Sequence, residues 1–267
     1  MRDLQKRIST LVLFLVLLLV LAVSDVIYFP ISHNKLDFVQ RYTVDQIIKD
    51  TDKYLNSMPK EETKTIAYDD FLNHLNFWER RFVERVFAIN PKTLGFKGPY
   101  FSKDPVEKLT LIPAKQFVVD GEEYDTGVNY MPDPVYADYE KMMQAIDKDL
   151  GKRLYVDSAY RSPGYQANLF FYYLGKENNY SLTENAGWVA MPGYSEHGSQ
   201  NTAVDFINQD GISGEAGKQV PEDFEQLSEY DWLTKNASRY NFYLTYPRNN
   251  FFGVNFEPWH WHWEKKS

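Results

Sequence analysis

Residues whose side chains can do chemistry are concentrated in three short stretches in the second half of the chain. They read SAYRSPGYQ at 158–166, PGYSEHGSQNTAVDF at 192–206 and EPWHWHWE at 257–264. Each stretch lies next to the end of a predicted strand, where active sites are often built. The sequence therefore predicts one site assembled from loops and strand ends.

The second and third stretches contain the residue types that bind a metal ion. His197, Asp205 and one of the two histidines near the end of the chain would form a set of two imidazoles and one carboxylate. Three nitrogen and oxygen ligands with a fourth position open are typical of a catalytic zinc rather than a structural one. Glu257 would then be a spare carboxylate, suited to take a proton from a water molecule.

The last stretch holds two of the five histidines, His260 and His262, and its periodicity does not decide between them. Alternate side chains of a strand share a face, so both histidines would point one way and the three tryptophans the other. In a regular strand Glu257 would lie on the face opposite His260. Pro258 interrupts that regularity because it fixes φ and has no amide hydrogen, so a kink there permits Glu257 and His260 in one cleft.

Composition excludes several classes of function. The chain of 267 residues is 43% hydrophobic and 16% aromatic, which predicts a folded core rather than disorder. Its net charge of −8 and the absence of a basic cluster argue against a nucleic-acid partner. Because there is no cysteine, thiolate metal sites, cysteine nucleophiles and disulfides are all excluded.

Predicted helices and strands alternate along the rest of the sequence. Apolar spacing predicts helices over 35–56, 68–88, 133–152, 162–175 and 221–240. Short strands are predicted over 108–113, 153–160, 202–208, 241–246 and 259–263. This mixture predicts an α+β fold, a small antiparallel sheet with flanking helices that is preceded by an N-terminal apolar helix and a helical segment.

The first 29 residues differ from an ordinary globular sequence. A basic start, residues 1–9, precedes an apolar run from Leu11 to Val23, which continues to Phe29 with only Ser24 and Asp25 interrupting it. The run reads either as a signal peptide that is cleaved or as an anchor that stays in the membrane. In both cases the basic start stays in the cytoplasm and the rest is exported. We therefore expect a cell-envelope protein, membrane-anchored through this helix, or secreted or periplasmic if the helix is removed.

Three motifs carry a family resemblance. They are SAYRS with its following glutamine, PGYSEH with AVDF, and EPWH. Together they resemble those of the VanY-type D-alanyl-D-alanine carboxypeptidases. That family consists of zinc metallopeptidases that share their fold with D-Ala-D-Ala dipeptidases and hedgehog signalling domains. The motifs stand in the family's order and the resemblance covers roughly residues 105–264. The expected organisation is a cytoplasmic region at 1–9, a signal anchor or signal peptide at 10–29, a helical stalk or cap at 30–104 and a peptidase domain at 105–267.

The resemblance implies a role for each motif residue of the metal centre. His197, Asp205 and His260 become the ligands of one zinc ion per chain. Glu257 becomes the catalytic base that takes a proton from the zinc-bound water and later passes it to the leaving amine.

Four further residues receive roles from the same resemblance. Arg161 would stabilise the polarised carbonyl or the oxyanion of the tetrahedral intermediate. Gln166 and Ser195 would bind the terminal D-alanine of the substrate. His262 occupies a place for which the family pattern requires no histidine, so we expect it to lie behind the ligands or to face the substrate.

The sequence departs from the family pattern between the first two ligands. The family usually reads S-x-H-x-x-G-x-A-x-D, with the aspartate seven residues after the histidine. Here Asp205 follows His197 by eight residues, and Asn201 stands near the expected glycine. We expect the turn before the strand to absorb the extra residue, which bears on the shape of this loop and on substrate choice.

Two functions are consistent with these residues. The first is a zinc carboxypeptidase that removes a C-terminal D-alanine from peptidoglycan stem peptides, with D,D- or L,D-specificity open, or an endopeptidase acting on the same material. The second is a non-catalytic, zinc-containing module of the same fold that binds cell-wall peptides. The retained Glu257 and Arg161 favour the enzyme.

Overall fold

The computed structural model describes residues 11–17, 19–20 and 30–265 of the chain. The predicted cytoplasmic region at 1–9 lies outside this part, as do residues 10, 18 and 21–29 of the predicted apolar helix. The backbone at 11–17 and 19–20 is helical. Among the described residues, no helix combines the length and the apolar character needed to cross a membrane.

Three helices lie in the segment at 30–104, which we call the helical segment. They are α1 (Phe38–Leu55), α2 (Tyr68–Asn73) and α3 (Phe77–Phe87), with 3₁₀ turns at Lys60–Thr65 and Pro91–Leu94. The single helix predicted over 68–88 is therefore wrong. Asn76 starts a new helix, because its side chain accepts from the amides of Trp78 and Glu79 while the Glu79 carboxylate accepts from the Asn76 amide.

Two small hairpin-like sheets and a long helix follow. Strands β1 (Leu109–Ile112) and β4 (Asn129–Pro132) pair with each other, as do β2 (Gln116–Val119) and β3 (Glu122–Asp125), both pairs antiparallel. Helix α4 (Asp133–Leu150) comes next. Of these strands the sequence predicted only β1.

A four-stranded antiparallel sheet, the central sheet, carries the residues singled out in the sequence. It is built from β5 (Leu154–Ser158), β6 (Ala203–Asn208), β7 (Phe242–Leu244) and β8 (His260–Trp263), in the order β5-β6-β8-β7. The helices that accompany it are α5 (Pro163–Lys176), α6 (Leu182–Ala186), α7 (Pro221–Glu225) and α8 (Ser228–Asn236). The predicted mixture of helices with a small antiparallel sheet is confirmed, although the helix predicted over 221–240 is broken into α7, α8 and a 3₁₀ turn.

Two large apolar cores hold these elements together. One lies between α4, α8 and the central sheet, and includes Trp259, Trp261 and Trp263, which are 3%, 3% and 5% exposed. The tryptophans therefore serve as packing, as predicted. The other core lies between the helical segment and α5, and its fully buried members include Phe71, Phe82 and Phe170. The side chains that fix the strand bearing the histidines are thus separate from those that fix the start of α5.

The helical segment approaches the start of α5 at a glycine. A Cβ atom on Gly164 would lie 2.4 Å from the Ala67 carbonyl oxygen and 2.6 Å from that of Ile66. Only glycine allows this approach of two backbones. The predicted domain boundary at 104/105 stays a prediction, but residues on its two sides share one core.

Candidate active site

The register of the central sheet places one residue from each of three strands side by side. Ser158 of β5 pairs with Asp205 of β6, and Asp205 pairs with His260 of β8. The β5–β6 register shifts between Val156 and Ser158, a bulge of the kind that re-aims side chains next to active sites. Paired residues on neighbouring strands present their side chains on the same face, so these three point to one place.

His197 reaches the same place from a short 3₁₀ turn, Glu196–Gly198, that precedes β6. The His197 Nδ1 atom lies 2.7 Å from the Ala159 carbonyl oxygen, and the backbone carbonyl of His197 accepts from the Thr202 hydroxyl at 3.0 Å. Residues 199–201 form the turn that connects this 3₁₀ turn to Thr202 and β6. The eight-residue spacing therefore still brings Asp205 into register with His260.

The side chains of His197, Asp205 and His260 converge into one buried group that could hold a metal ion. One ligand atom from each lies within 4.8 Å of the other two. The His197 Nε2 atom is 3.2 Å from Asp205 Oδ2, and the His260 Nδ1 atom is 2.9 Å from Asp205 Oδ1. His262 does not belong to this group.

The protonation of His197 fits a cation at this position. Burial, with the charge of Arg161, lowers the pKa of His197 to about 4, so the ring is neutral near pH 7. Because Nδ1 faces a carbonyl oxygen, Nδ1 carries the single ring hydrogen and Nε2 presents a lone pair. That lone pair faces a carboxylate oxygen of Asp205 at 3.2 Å. Two acceptors in contact repel each other unless a cation is shared between them, which is how zinc sites with histidine and carboxylate ligands are built.

His260 is held by carboxylates on both sides of its ring. Its Nε2 atom is 2.9 Å from Glu196 Oε2, on the side away from Asp205. Burial lowers the pKa of His260, but hydrogen bonds to Asp205 and Glu196 outweigh burial and raise it to about 10. This excess of negative charge around a buried ring is a second feature that fits a cation. A carboxylate on the far nitrogen of a metal-binding histidine fixes the orientation of the ring.

Behind Glu196 the hydrogen bonds continue to the second terminal histidine. The Thr245 hydroxyl donates to the Glu196 carboxylate and lies 2.6 Å from the Nδ1 atom of His262. His262 is thus connected to His260 through Thr245 and Glu196. This arrangement is consistent with the expectation that His262 lies behind the ligands, and its role stays a prediction.

Glu257 stands beside the group without joining it. The Glu257–His260 stretch is a turn in which the His260 amide donates to the Glu257 carbonyl at 3.2 Å, and β8 begins at His260 rather than at Trp259 as predicted. The turn brings Glu257 Oε2 to 3.8 Å from His260 Nδ1. Burial, only partly opposed by His260, raises the pKa of the Glu257 carboxyl to about 8. The kink expected at Pro258 is present and places Glu257 and His260 in one cleft.

Arg161 follows β5 and bonds to Ser158 and Asp205, the two residues that pair with each other across β5 and β6. Its Nε donates to the Ser158 hydroxyl at 2.8 Å and its Nη2 donates to Asp205 Oδ2 at 2.6 Å. Its Nη1 has no hydrogen-bond partner among the residues that the structure describes. A guanidinium offers five N–H donors, so this arrangement leaves one edge for a ligand.

One cleft of about 1230 Å³ is lined by Ser158, Arg161, Glu196, His197, Asp205, Glu257 and His260, but not by Thr245 or His262. Gln166 is 2% exposed, and its Nε2 donates to the Ala190 carbonyl at 2.8 Å. The same amide's Oε1 is buried with no partner in the described part of the chain. The Ser195 side chain also lines the cleft. Gln166 therefore lines the cleft with its amide fixed by Ala190 and with an acceptor oxygen that has no protein partner among the described residues.

Three residues near the site were not singled out from the sequence. Glu196 lies inside the quoted SEH motif and was within reach of sequence reasoning. The Tyr246 ring packs with its centroid 4.7 Å from that of His260, and Lys64 enters the cleft from the helical segment. Neither of the last two has a local sequence signal, because tertiary packing alone brings it to the site.

Comparison with known proteins decides the family. The model of the VanY family, described as D-alanyl-D-alanine carboxypeptidase, matches residues 128–266, slightly more than half of the chain. The chain belongs to the VanY family. The matched part of this VanY-family chain contains every predicted site residue.

Two curated relatives carry the same description. A D-alanyl-D-alanine carboxypeptidase of Enterococcus faecalis (strain ATCC 700802 / V583) is 42% identical over 76 residues, 28% of this chain and 24% of that protein. A D-alanyl-D-alanine carboxypeptidase of Enterococcus faecium is 26% identical over 171 residues, 60% of this chain and 48% of that protein. The chain therefore spans less than half of the length of the curated relatives that it matches.

Among solved structures, the LdcB LD-carboxypeptidase has a similar trace. It is 23% identical, with a TM-score of 0.48 over 65% of this chain and 78% of that one. The assignment to the VanY family rests on the sequence match over 128–266.

Proposed function

We propose that this chain is a zinc-dependent carboxypeptidase that removes a C-terminal D-alanine from peptidoglycan stem peptides. One observation carries the proposal: three buried ligand atoms lie within 4.8 Å of one another, and an uncoordinated carboxylate lies 3.8 Å from one of them. Membership of a family of D-alanyl-D-alanine carboxypeptidases supports the choice of substrate.

His197 through Nε2, Asp205, and His260 through Nδ1 would hold one zinc ion. Two nitrogens and one oxygen are a ligand set that zinc accepts in catalytic sites. When bound, zinc supplies a Lewis acid that polarises the scissile carbonyl and makes a water molecule more acidic. Glu196 keeps the His260 ring in the orientation that directs Nδ1 toward Asp205.

Glu257 acts as the proton carrier of the reaction. A zinc ion at the site would favour the ionised form of this carboxyl, and the carboxylate then takes a proton from the attacking water and delivers it to the amine of the departing D-alanine. The turn at Pro258 holds it near His260 but outside the group of ligands. Because Glu257 is only 8% exposed, its side chain is sheltered from bulk water while it carries the proton.

Arg161 stabilises the negative charge that develops on the scissile carbonyl oxygen. Its bonds to Ser158 and Asp205 fix the guanidinium before the substrate binds, and its Nη1 edge is left to donate. A preorganised cation of this kind lowers the barrier because it does not have to reorient during the reaction. Such a charge in a cleft acts locally, so the net charge of −8 does not oppose an anionic substrate.

Gln166 and Ser195 position the peptide next to these groups. Both line the cleft, and we assign the Gln166 amide and the Ser195 hydroxyl to the terminal D-alanine. A basic start followed by an apolar run supports export to the cell envelope, where peptidoglycan lies. We propose that the run either anchors the protein in the membrane or is cleaved as a signal peptide.

Mass spectrometry of peptidoglycan fragments tests this function. Muropeptides are incubated with zinc-loaded protein and, as a control, with protein treated with a chelator. We expect the loss of one alanine from pentapeptide stems for D,D-specificity or from tetrapeptide stems for L,D-specificity. Cleavage of cross-linked dimers instead would identify an endopeptidase. Unchanged stems that nevertheless bind the protein would favour the non-catalytic module.

A further inference from the structure

A lysine of the helical segment reaches the cleft from outside the part matched to the VanY family. Lys64 lies in the 3₁₀ turn Lys60–Thr65 and lines the cleft together with Arg161 and His197. Its ammonium donates to Asn129 Oδ1 at 2.7 Å and to the Thr126 carbonyl at 3.1 Å. The family match begins only at residue 128, so nothing in that match assigns Lys64 a role.

Backbone hydrogen bonds tie the position of Lys64 to that of Arg161. Ser162, the residue after Arg161, donates its amide to the Lys64 carbonyl at 3.0 Å and its hydroxyl to the Ile66 carbonyl at 2.7 Å. The Tyr130 hydroxyl donates to the Glu61 carbonyl at 2.7 Å. The 3₁₀ turn is therefore fixed against the start of α5, and Lys64 keeps a defined position relative to the site.

The charge of Lys64 is not neutralised by a bonded carboxylate. An ammonium has three donors, and the two acceptors recorded in the described part of the chain are neutral. Burial, together with the charge of Arg161, lowers the pKa of Lys64 to about 8, although Asp157, Asp205 and Asp125 act in the opposite direction. Asp157 is engaged by the Tyr124 hydroxyl, and Asp205 by Arg161 and the two histidines. Eight carboxylate residues also line the cleft, but none of them bonds to the Lys64 ammonium in the described part of the chain, so this cation is left to attract an anionic ligand locally.

The other polar groups of the cleft leave the terminal carboxylate of a peptide without a bonded cation. Arg161 spends its Nε and one Nη2 donor on Ser158 and Asp205, and its Nη1 edge is assigned to the scissile carbonyl oxygen in the proposed reaction. Gln166 is neutral, its Oε1 is buried, and its Nε2 already donates to the Ala190 carbonyl, so it supplies no cation for a carboxylate. A lysine with a free donor is a compact charge that can follow a carboxylate.

We propose that Lys64 binds the C-terminal carboxylate of the peptide substrate and so selects terminal residues over internal ones. This inference rests on the proposed function, since it concerns a substrate of the same site. It makes the helical segment part of the substrate site, and it predicts a carboxypeptidase rather than an endopeptidase, whose internal peptide bonds offer no such carboxylate.

The test compares one blocked peptide as a free acid and as its C-terminal amide. Wild type, Lys64→Met, Lys64→Arg and the control Lys60→Met are measured on both. Lys60 belongs to the same 3₁₀ turn and also lines the cleft, but it is exposed. For each variant, kcat/KM for the acid is divided by kcat/KM for the amide measured on the same preparation. The fraction of folded protein cancels in this ratio, so partial unfolding does not change it.

We expect wild type to prefer the acid and Lys64→Met to lose about 10- to 100-fold on the acid, mainly through KM, as for a hydrogen bond to a charged group. Activity on the amide should not change, Lys64→Arg should keep part of the preference, and Lys60→Met should keep all of it. An equal loss on acid and amide would show that Lys64 only supports the fold and would overturn the inference, as would an unchanged acid rate. Wild type that cleaves neither peptide would instead contradict the proposed function itself.

Discussion

The central sheet and the helical segment both place charge in the cleft, but they neutralise it differently. On the sheet, Asp205 contacts Arg161, His197 and His260, so its charge is compensated within the protein. On the helical segment, Lys64 bonds to two neutral acceptors and to no carboxylate within the described part of the chain. The carboxylate on the sheet side is therefore surrounded by its partners, whereas the ammonium on the helical side keeps a donor for an anion. We propose that the two sides serve different ligands, the sheet side a metal ion and the helical side the substrate.

The largest expected effect comes from removing the charge of Asp205 on the sheet side. Asp205→Asn keeps the shape of the side chain but leaves Arg161 and the lone pair of His197 without a carboxylate. We expect metal affinity to fall at least about 100-fold, since losing one partner of a buried charge pair costs roughly 3–5 kcal/mol. Metal titration followed by elemental analysis measures this. Undiminished zinc binding in Asp205→Asn would show that the ligand set is wrong.

The contact between the two regions is tested next, at Gly164. In Gly164→Ala the new Cβ would meet the backbone oxygens of Ala67 and Ile66, which cannot move as a side chain can. We expect the free energy of unfolding to fall by about 1–3 kcal/mol, as for other overpacked sites. Denaturant unfolding measures the change.

Gly175→Ala in the same helix is the matched control. Its Cβ would lie closest to Cδ1 of Ile48, the end of a side chain, which gives way more readily than a backbone carbonyl. Both substitutions gain the same helix propensity, so the difference between them reports the backbone contact. Equal stability of the two variants would contradict the described docking of the helical segment on α5.

A smaller effect is expected at Glu196, which orients a ligand without being one. Glu196→Gln keeps a hydrogen bond to His260 but removes the negative charge that holds the ring. Loss of such an outer partner weakens metal binding by about 10- to 100-fold. A competition titration against a chelator of known affinity is the measurement, with the exposed Glu184→Gln as control. Equal affinities in the two variants would place Glu196 outside the metal centre.

The smallest effect is expected at His262. Its ring is connected to His260 through Thr245 and Glu196 and is not one of the predicted ligands, so His262→Ala should keep its zinc and lose less than about tenfold in kcat/KM. Zinc content and kinetics on the same preparation measure both quantities. Loss of zinc in His262→Ala would mean that the metal has a further ligand.

The central sheet was more accessible to sequence reasoning than the helical segment. Its site residues lie in three motifs whose order resembles a known family, and the α+β class follows from the alternation of elements. Periodicity did not distinguish His260 from His262 because both lie on one face of β8. The register distinguishes them, since Asp205 pairs with His260 and Ala203 pairs with His262.

Other features could not be read from local sequence. Strands β2, β3 and β4 are four residues each, too short for a clear apolar alternation. The break at Asn76 does have a signal, an asparagine followed three residues later by a glutamate, which the apolar spacing of 68–88 concealed. Lys64 has none, because its place in the cleft depends on contacts with residues more than 60 positions away.

The most direct test of the account is the activity of Glu257→Gln at full zinc occupancy. Glu257 is proposed to move the proton without holding the metal, so the variant should bind zinc like wild type. D-alanine release should fall by about 10²- to 10⁴-fold, the usual contribution of a general base. Wild-type rates of release in zinc-loaded Glu257→Gln would contradict the proposed mechanism.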